Sequence, residues 1–146
     1  MMNINKLLII RIVIVSSLVG MFFPGCAKRE EITLDSGVRI TDMDPGEGQE
    51  AGYLDRVTLD YSGYLIDGTL FDSSKKPGRE SLRFTIGAEE VIPGLEEGVR
   101  GMRPGGKRLI KIPASLAYGK EGAGESVPPD SDLEFEVELL KIERFD

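Results

Sequence analysis

Leu133, Phe135, Val137 and Leu139 alternate with Glu134, Glu136 and Glu138. Apolar residues at a period of two read as a half-buried strand, here with an acidic outer face. Val57 to Leu65 alternates in the same way, with Val57, Leu59, Tyr61 and Leu65 on one side. Leu82, Phe84 and Ile86 alternate with Arg83 and Thr85, and Lys107–Ile112 reads as another strand. Gly37–Thr41 reads as an edge strand, and Thr69–Asp72 resumes a strand after the hairpin signal Asp67-Gly68. One stretch breaks the period. Within Glu90–Met102, the residues Ile92, Leu95, Val99 and Met102 recur at spacings of three and four, the stripe of a short helix. Pro93 suits its first turn, Glu96 and Glu97 its positive end, and Arg100 and Arg103 its negative end. Gly101 and Pro104 end it. A helix of about two to three turns does not hold in water unless something clamps it.

The clamp is the set of strands. Strands joined by short turns, one helix, then more strands predict an α+β domain: an antiparallel sheet with the helix on one face. Asp44-Pro45-Gly46-Glu47-Gly48 and Pro104-Gly105-Gly106 read as turns, and Ser73 to Ser81 as a polar loop. Ala114 to Pro129, rich in glycine and proline, reads as a long loop of the kind that carries function.

Composition narrows the chemistry. The chain of 146 residues has one cysteine, no histidine and a formal charge of −7. Beyond residue 25, 16 basic side chains face 25 acidic ones, a formal −9, which argues against a nucleic-acid partner. Without histidine there is no imidazole base, and a single thiol excludes an internal disulfide and cysteine-rich zinc sites; no metal and no cofactor are expected. Ser73 and Ser74 lack a base partner, and the glycine runs lack the phosphate-loop pattern. What remains is an aromatic-rich apolar set, Tyr61, Phe71, Phe84, Tyr118 and Phe135, with Asp72 beside Phe71.

The N-terminus reads as an address. Lys6 and Arg11 precede an apolar run from Ile12 to Phe23, too short for a comfortable span, and Pro24-Gly25-Cys26 closes it. This resembles the lipobox of exported lipoproteins, in which the cysteine is diacylated and the chain is cut before it. The resemblance implies a signal peptide over residues 1–25, a lipid on Cys26 with a short tether to residue 36, and a domain over 37–146. It implies an exported protein held at a membrane of the cell envelope. A plain signal peptide and an uncleaved anchor are the alternatives.

Seven motifs run in order: Tyr61-Ser62-Gly63, Asp67-Gly68, Phe71-Asp72-Ser73-Ser74, Val91-Ile92-Pro93-Gly94, Gly105-Gly106-Lys107, Ala117-Tyr118-Gly119, and Pro128-Pro129 through Phe135. Together they resemble the FKBP-type peptidyl-prolyl isomerases, over about Gly37 to Glu143. The resemblance implies a half-barrel of five to six antiparallel strands wrapped around the helix. It implies a prolyl pocket lined by Tyr61, Phe71, Phe84, Val91, Ile92, Leu95, Tyr118 and Phe135, with Asp72 at the rim. The Ile92 N–H and the Tyr118 hydroxyl would donate to substrate carbonyls, and Asp72 would orient Tyr61. Expected partners are proline-containing polypeptides and macrolides such as rapamycin, bound more weakly because Leu95 stands where the family commonly has tryptophan. Leu82 also replaces a frequent phenylalanine, and Ala123-Gly124 a frequent His-Pro. No helical extension of the dimerising kind is present, so a monomer is expected. A proline-peptide-binding chaperone and a surface interaction lipoprotein are the rival readings.

Overall fold

The computed structural model of the protein describes residues 29–145. The expected signal peptide, Cys26 and the start of the expected tether lie outside the described residues. Among the described residues, seven strands and one α-helix follow in order: β1 (Glu31–Thr33), β2 (Arg39–Asp44), β3 (Arg56–Leu65), β4 (Leu70–Ser73), β5 (Leu82–Thr85), α1 (Pro93–Val99), β6 (Lys107–Ile112) and β7 (Leu133–Glu143). They form one antiparallel sheet in the order β1-β2-β6-β7-β3-β4. β5 pairs with β3 beside Arg56–Leu59, and β4 pairs with it beside Ser62–Tyr64. The two short strands share one edge of β3, separated by the loop over residues 74–81.

β3 and β7 form the spine, in register from Arg56 opposite Glu143 to Leu65 opposite Leu133. Their inward residues Val57, Leu59, Leu133, Phe135, Val137 and Leu139 are buried. Ile110 and Ile112 of β6 extend that face, and Leu95 and Val99 of α1 cover it.

The helix lies close because two of its residues have no side chain. A Cβ on Gly94 would run into Ile112, and one on Gly98 into Ile110. At seven residues the helix is shorter than the apolar stripe. Arg100 is extended at φ −57°, ψ 137°, and Gly101 turns left-handed at φ 80°. Met102 is buried beyond the helix, its N–H on the Val99 carbonyl at 3.1 Å. Nor do Arg100 and Arg103 serve the helix C-terminus. Arg108, buried on β6, donates to the carbonyls of Gly98 at 2.9 Å and Arg100 at 3.0 Å while pairing with Asp42 at 2.6 Å.

Two boundary expectations change. β2 is not an edge, because β1 covers it with Ile32 opposite Ile40. Residues 31–36, read as tether, belong to the fold: a tight turn returns the chain from β1 to β2, Gly37 N–H donating to the Leu34 carbonyl at 2.9 Å. Glu31 holds both Lys111 at 2.9 Å and Arg39 at 3.4 Å, which anchors the added strand.

Candidate active site

Between the concave face of the sheet and the start of α1 lies a cavity of about 200 Å³. Tyr61 enters it from β3, Phe135 from β7, and Leu95 from the helix floor. Phe71 and Asp72 are consecutive on β4, yet both line it. Successive strand residues point to opposite faces, so something must break the alternation. A β-bulge does: Asp72 opposes Gly63, Leu70 opposes Tyr64, and Phe71 is the extra residue between them.

The aromatic wall is set by contact geometry. Phe71 meets Phe135 edge-on with ring centroids 5.7 Å apart, and Tyr61 is tilted against Phe135 at 6.1 Å. Gly63 makes room for this. Across from Phe135 in the β3–β7 register, it has no side chain; a Cβ there would lie 2.7 Å from the Phe71 ring and 3.0 Å from that of Phe135.

One carboxylate organises the polar rim. The Tyr61 hydroxyl donates to Asp72 Oδ2 at 2.6 Å, and Arg79 Nη2 reaches Asp72 Oδ1 at 2.7 Å. Lys76 Nζ stands 4.0 Å from the same oxygen. Partial burial works to raise the Asp72 carboxyl, but the Tyr61 hydroxyl, the Ser73 backbone, Arg79 and Lys76 outweigh it and hold it below its ordinary value. Tyr61 moves the other way: burial first, then the bond to Asp72 and its charge, push the phenol up to about 12.

Ile92 is the residue before the helix, and its carbonyl accepts the N–H groups of Leu95 at 3.0 Å and Glu96 at 3.3 Å. Among the described residues its own N–H has no hydrogen-bond partner. Tyr118 follows a single 3₁₀ turn at Ala114–Leu116, lines the cavity and is 38% exposed. Burial, then the charge of Asp72, raise its phenol. Gly119 fixes its position, donating to the Ala114 carbonyl at 2.9 Å and accepting from Asp130 N–H at 2.8 Å.

One expected lining residue is displaced. Phe84 is fully buried in the core and does not line the cavity; Leu82 does. Register explains it. Phe84 pairs with Val57 and Leu82 with Leu59, so Leu82 lies one inward step nearer Tyr61 on the same face. Glu90 also lines the cavity, held by its side chain on Thr85 N–H at 2.8 Å. Neither Glu90 nor the Arg79–Asp72 pair was foreseen from the sequence. The only available signal was the period of two linking Leu82 to Phe84; nothing local marks the other two.

A cavity lined by four aromatic side chains, with an unpaired backbone donor and an anchored carboxylate at its edge, offers room for a compact apolar group beside a hydrogen-bond acceptor. Comparison with known proteins points to the same chemistry. The profile of the family described as FKBP-type peptidyl-prolyl cis-trans isomerase matches residues 47–140. An FK506-binding protein of Neisseria meningitidis serogroup B is 46% identical over 106 residues, covering 73% of this chain and 96% of that protein. The FKBP-type 22 kDa peptidyl-prolyl cis-trans isomerase of Escherichia coli is 46% identical over 117 residues, 80% of this chain and 55% of that one. Among solved structures, AtFKBP13 superposes with a TM-score of 0.72 at 37% identity, covering 78% of this chain and 99% of its own. FkpA from Escherichia coli superposes at 0.70 with 40% identity, over 77% and 51%. Fold, cavity and relatives agree: the chain belongs to the FKBP-type peptidyl-prolyl cis-trans isomerases.

Proposed function

We propose that the aromatic cavity seats the prolyl ring and lowers the barrier to X–Pro rotation without any covalent step. That barrier, about 18–20 kcal/mol, is lost amide resonance. A twisted amide carries less charge separation than a planar one, so a dry apolar cavity favours it relative to water. Tyr61, Phe71, Leu82, Leu95 and Phe135 hold the ring. The Ile92 N–H and the Tyr118 hydroxyl bind the flanking carbonyls. Asp72, kept ionised by Arg79 and Lys76, fixes the Tyr61 hydroxyl and sets the field at the rim. A rate gain of about 10³ needs about 4 kcal/mol, within reach of these contacts. The observation that carries the reading is the convergence of the aromatic wall and the unpaired Ile92 donor on one 200 Å³ cavity.

Its test is a protease-coupled assay on X-Pro-Phe peptides with the chain lacking residues 1–26. Acceleration by wild type that is lost in Phe71→Ala supports the assignment; equal rates in wild type, variant and buffer refute it. The same pocket takes macrolides of the rapamycin kind, with less contact over Leu95 than a tryptophan floor would give.

The site works on exported polypeptides, from a monomer anchored to a membrane of the cell envelope by lipid on Cys26. What supports this is the charged and apolar N-terminus ending at Gly25-Cys26. Two or more acyl chains on one cysteine hold stably where one holds weakly. Cys26→Ser moves the protein from the membrane to the soluble fraction if the reading holds, and membrane retention of that variant contradicts it.

A further inference from the structure

Asp60 stands on the face of β3 turned away from the cavity, one residue before Tyr61. Its Oδ1 accepts from Ser74 Oγ at 3.1 Å and from Ser81 Oγ at 2.8 Å. Ser74 opens the loop over residues 74–81 and Ser81 closes it, so one oxygen atom ties both ends of that loop to the sheet. Ser74 is held further, its N–H on the Tyr61 carbonyl at 3.1 Å and its Oγ accepting Tyr61 N–H at 3.0 Å. Glu138, across from Asp60 on β7, is 3.7 Å from Lys107. Among the described residues Asp60 forms no ion pair.

The loop carries Arg79 and Lys76, the two cations beside Asp72. The Arg79 side chain is 56% exposed, and an exposed arginine gains little from pairing unless its backbone is already placed. We propose that Asp60 is a positioning residue for catalysis: by clasping the loop it presets Arg79 against Asp72, and through Asp72 the hydroxyl of Tyr61. The path runs from one face of the sheet to the other. It touches no substrate atom. The polar contacts that make it span 14 and 21 residues of sequence. The inference rests on the cavity being the isomerase site, which the activity of wild type tests by itself.

The experiment compares full-length wild type, Asp60→Ala, Asp60→Asn and Ser81→Ala, each alone and combined with Arg79→Ala. Three quantities are read: kcat/KM for X–Pro isomerisation, tryptic cleavage after Lys75 and Arg79 in the native state, and the thermal midpoint. Asp60→Ala is expected to lower kcat/KM about three- to tenfold and to speed cleavage of the loop. Asp60→Asn keeps an acceptor oxygen and recovers most of both. Ser81→Ala moves both in the same direction by less, and serves if Asp60→Ala proves poorly folded. Asp60→Ala adds little once Arg79 is gone, because both changes break the same path. An activity loss of equal size with and without Arg79 overturns the route through that arginine. Unchanged loop cleavage and unchanged kcat/KM in Asp60→Ala overturn the clasp. Since cleavage does not depend on turnover, an inactive wild type would refute the isomerase site while leaving the loop contacts measurable.

Discussion

Tyr61 and Asp72 share a hydrogen bond of 2.6 Å, and it shifts their ionisation in opposite directions. The protein has four tyrosines, and Tyr61 is the one pushed up to about 12. Ultraviolet titration should therefore show a late phenol, ionising near pH 12, that disappears in Tyr61→Phe. The sign for stability follows: the contribution of neutral Tyr61 is complete below about pH 10 and is lost as pH rises toward its folded value. Asp72 has the opposite sign. Its carboxyl is lowered in the fold, so its contribution is complete above the ordinary value near 3.8 and fades only as pH falls through the lower folded one. Isomerase activity should stay flat from neutral pH down to the ordinary carboxylate value near 3.8 and fall only below it. A midpoint at or above the ordinary carboxylate value would mean that the Arg79–Asp72 pair does not form in solution. Gly63 belongs to this scale too. Gly63→Ala puts a methyl against Phe71 and Phe135, with an expected cost of about 1–3 kcal/mol and a raised KM. A neighbouring Phe71→Leu should recover part of the stability, and failure to do so would place the strain elsewhere.

Two effects oppose each other in the helix. Replacing glycine by alanine inside a helix ordinarily gains about 1 kcal/mol. At Gly98 the new methyl meets Ile110, and overpacking of that kind costs about 1–3 kcal/mol. The clash wins: Gly98→Ala should lower the denaturation midpoint, and a raised midpoint would show that helix and sheet are free to part. Arg108 is the second element-scale device. Its truncation to alanine leaves the carbonyls of Gly98 and Arg100 without their donor, with an expected loss of about 2–4 kcal/mol by chemical denaturation. The sequence made the helix legible through its apolar stripe and Pro93, and most strands through their period of two. It did not reveal Arg108, because a basic residue on a strand pattern carries no sign of a helix end reached through space. Nor did it reveal the bulge at Phe71, since one extra residue leaves the alternation of a four-residue strand unreadable.

At the scale of the molecule, local pattern specified the fold class, while pairing across long separations specified the rest. In the sequence β1 reads as tether, because three exposed residues have no core face to announce them. The resemblance puts Phe84 in the cavity, but its pairing with Val57 puts it in the core. Tyr61, Phe71, Tyr118 and Phe135 stand out in the sequence as an aromatic set and Asp72 through its place in the ordered motifs; the structure brings these five to one cavity. With Glu31 already in the sheet, only residues 27–30 separate Cys26 from the folded body, about 17 Å when fully extended. A lipid on Cys26 would therefore hold the folded body close to the membrane surface. The most direct measurement of the central claim is the rate of X–Pro isomerisation by the chain without residues 1–26, beside Phe71→Ala and Asp72→Ala. Strong acceleration by wild type is expected, with at least a tenfold loss in Phe71→Ala and a smaller loss in Asp72→Ala. A wild-type rate equal to that of buffer, or three equal rates, would contradict it.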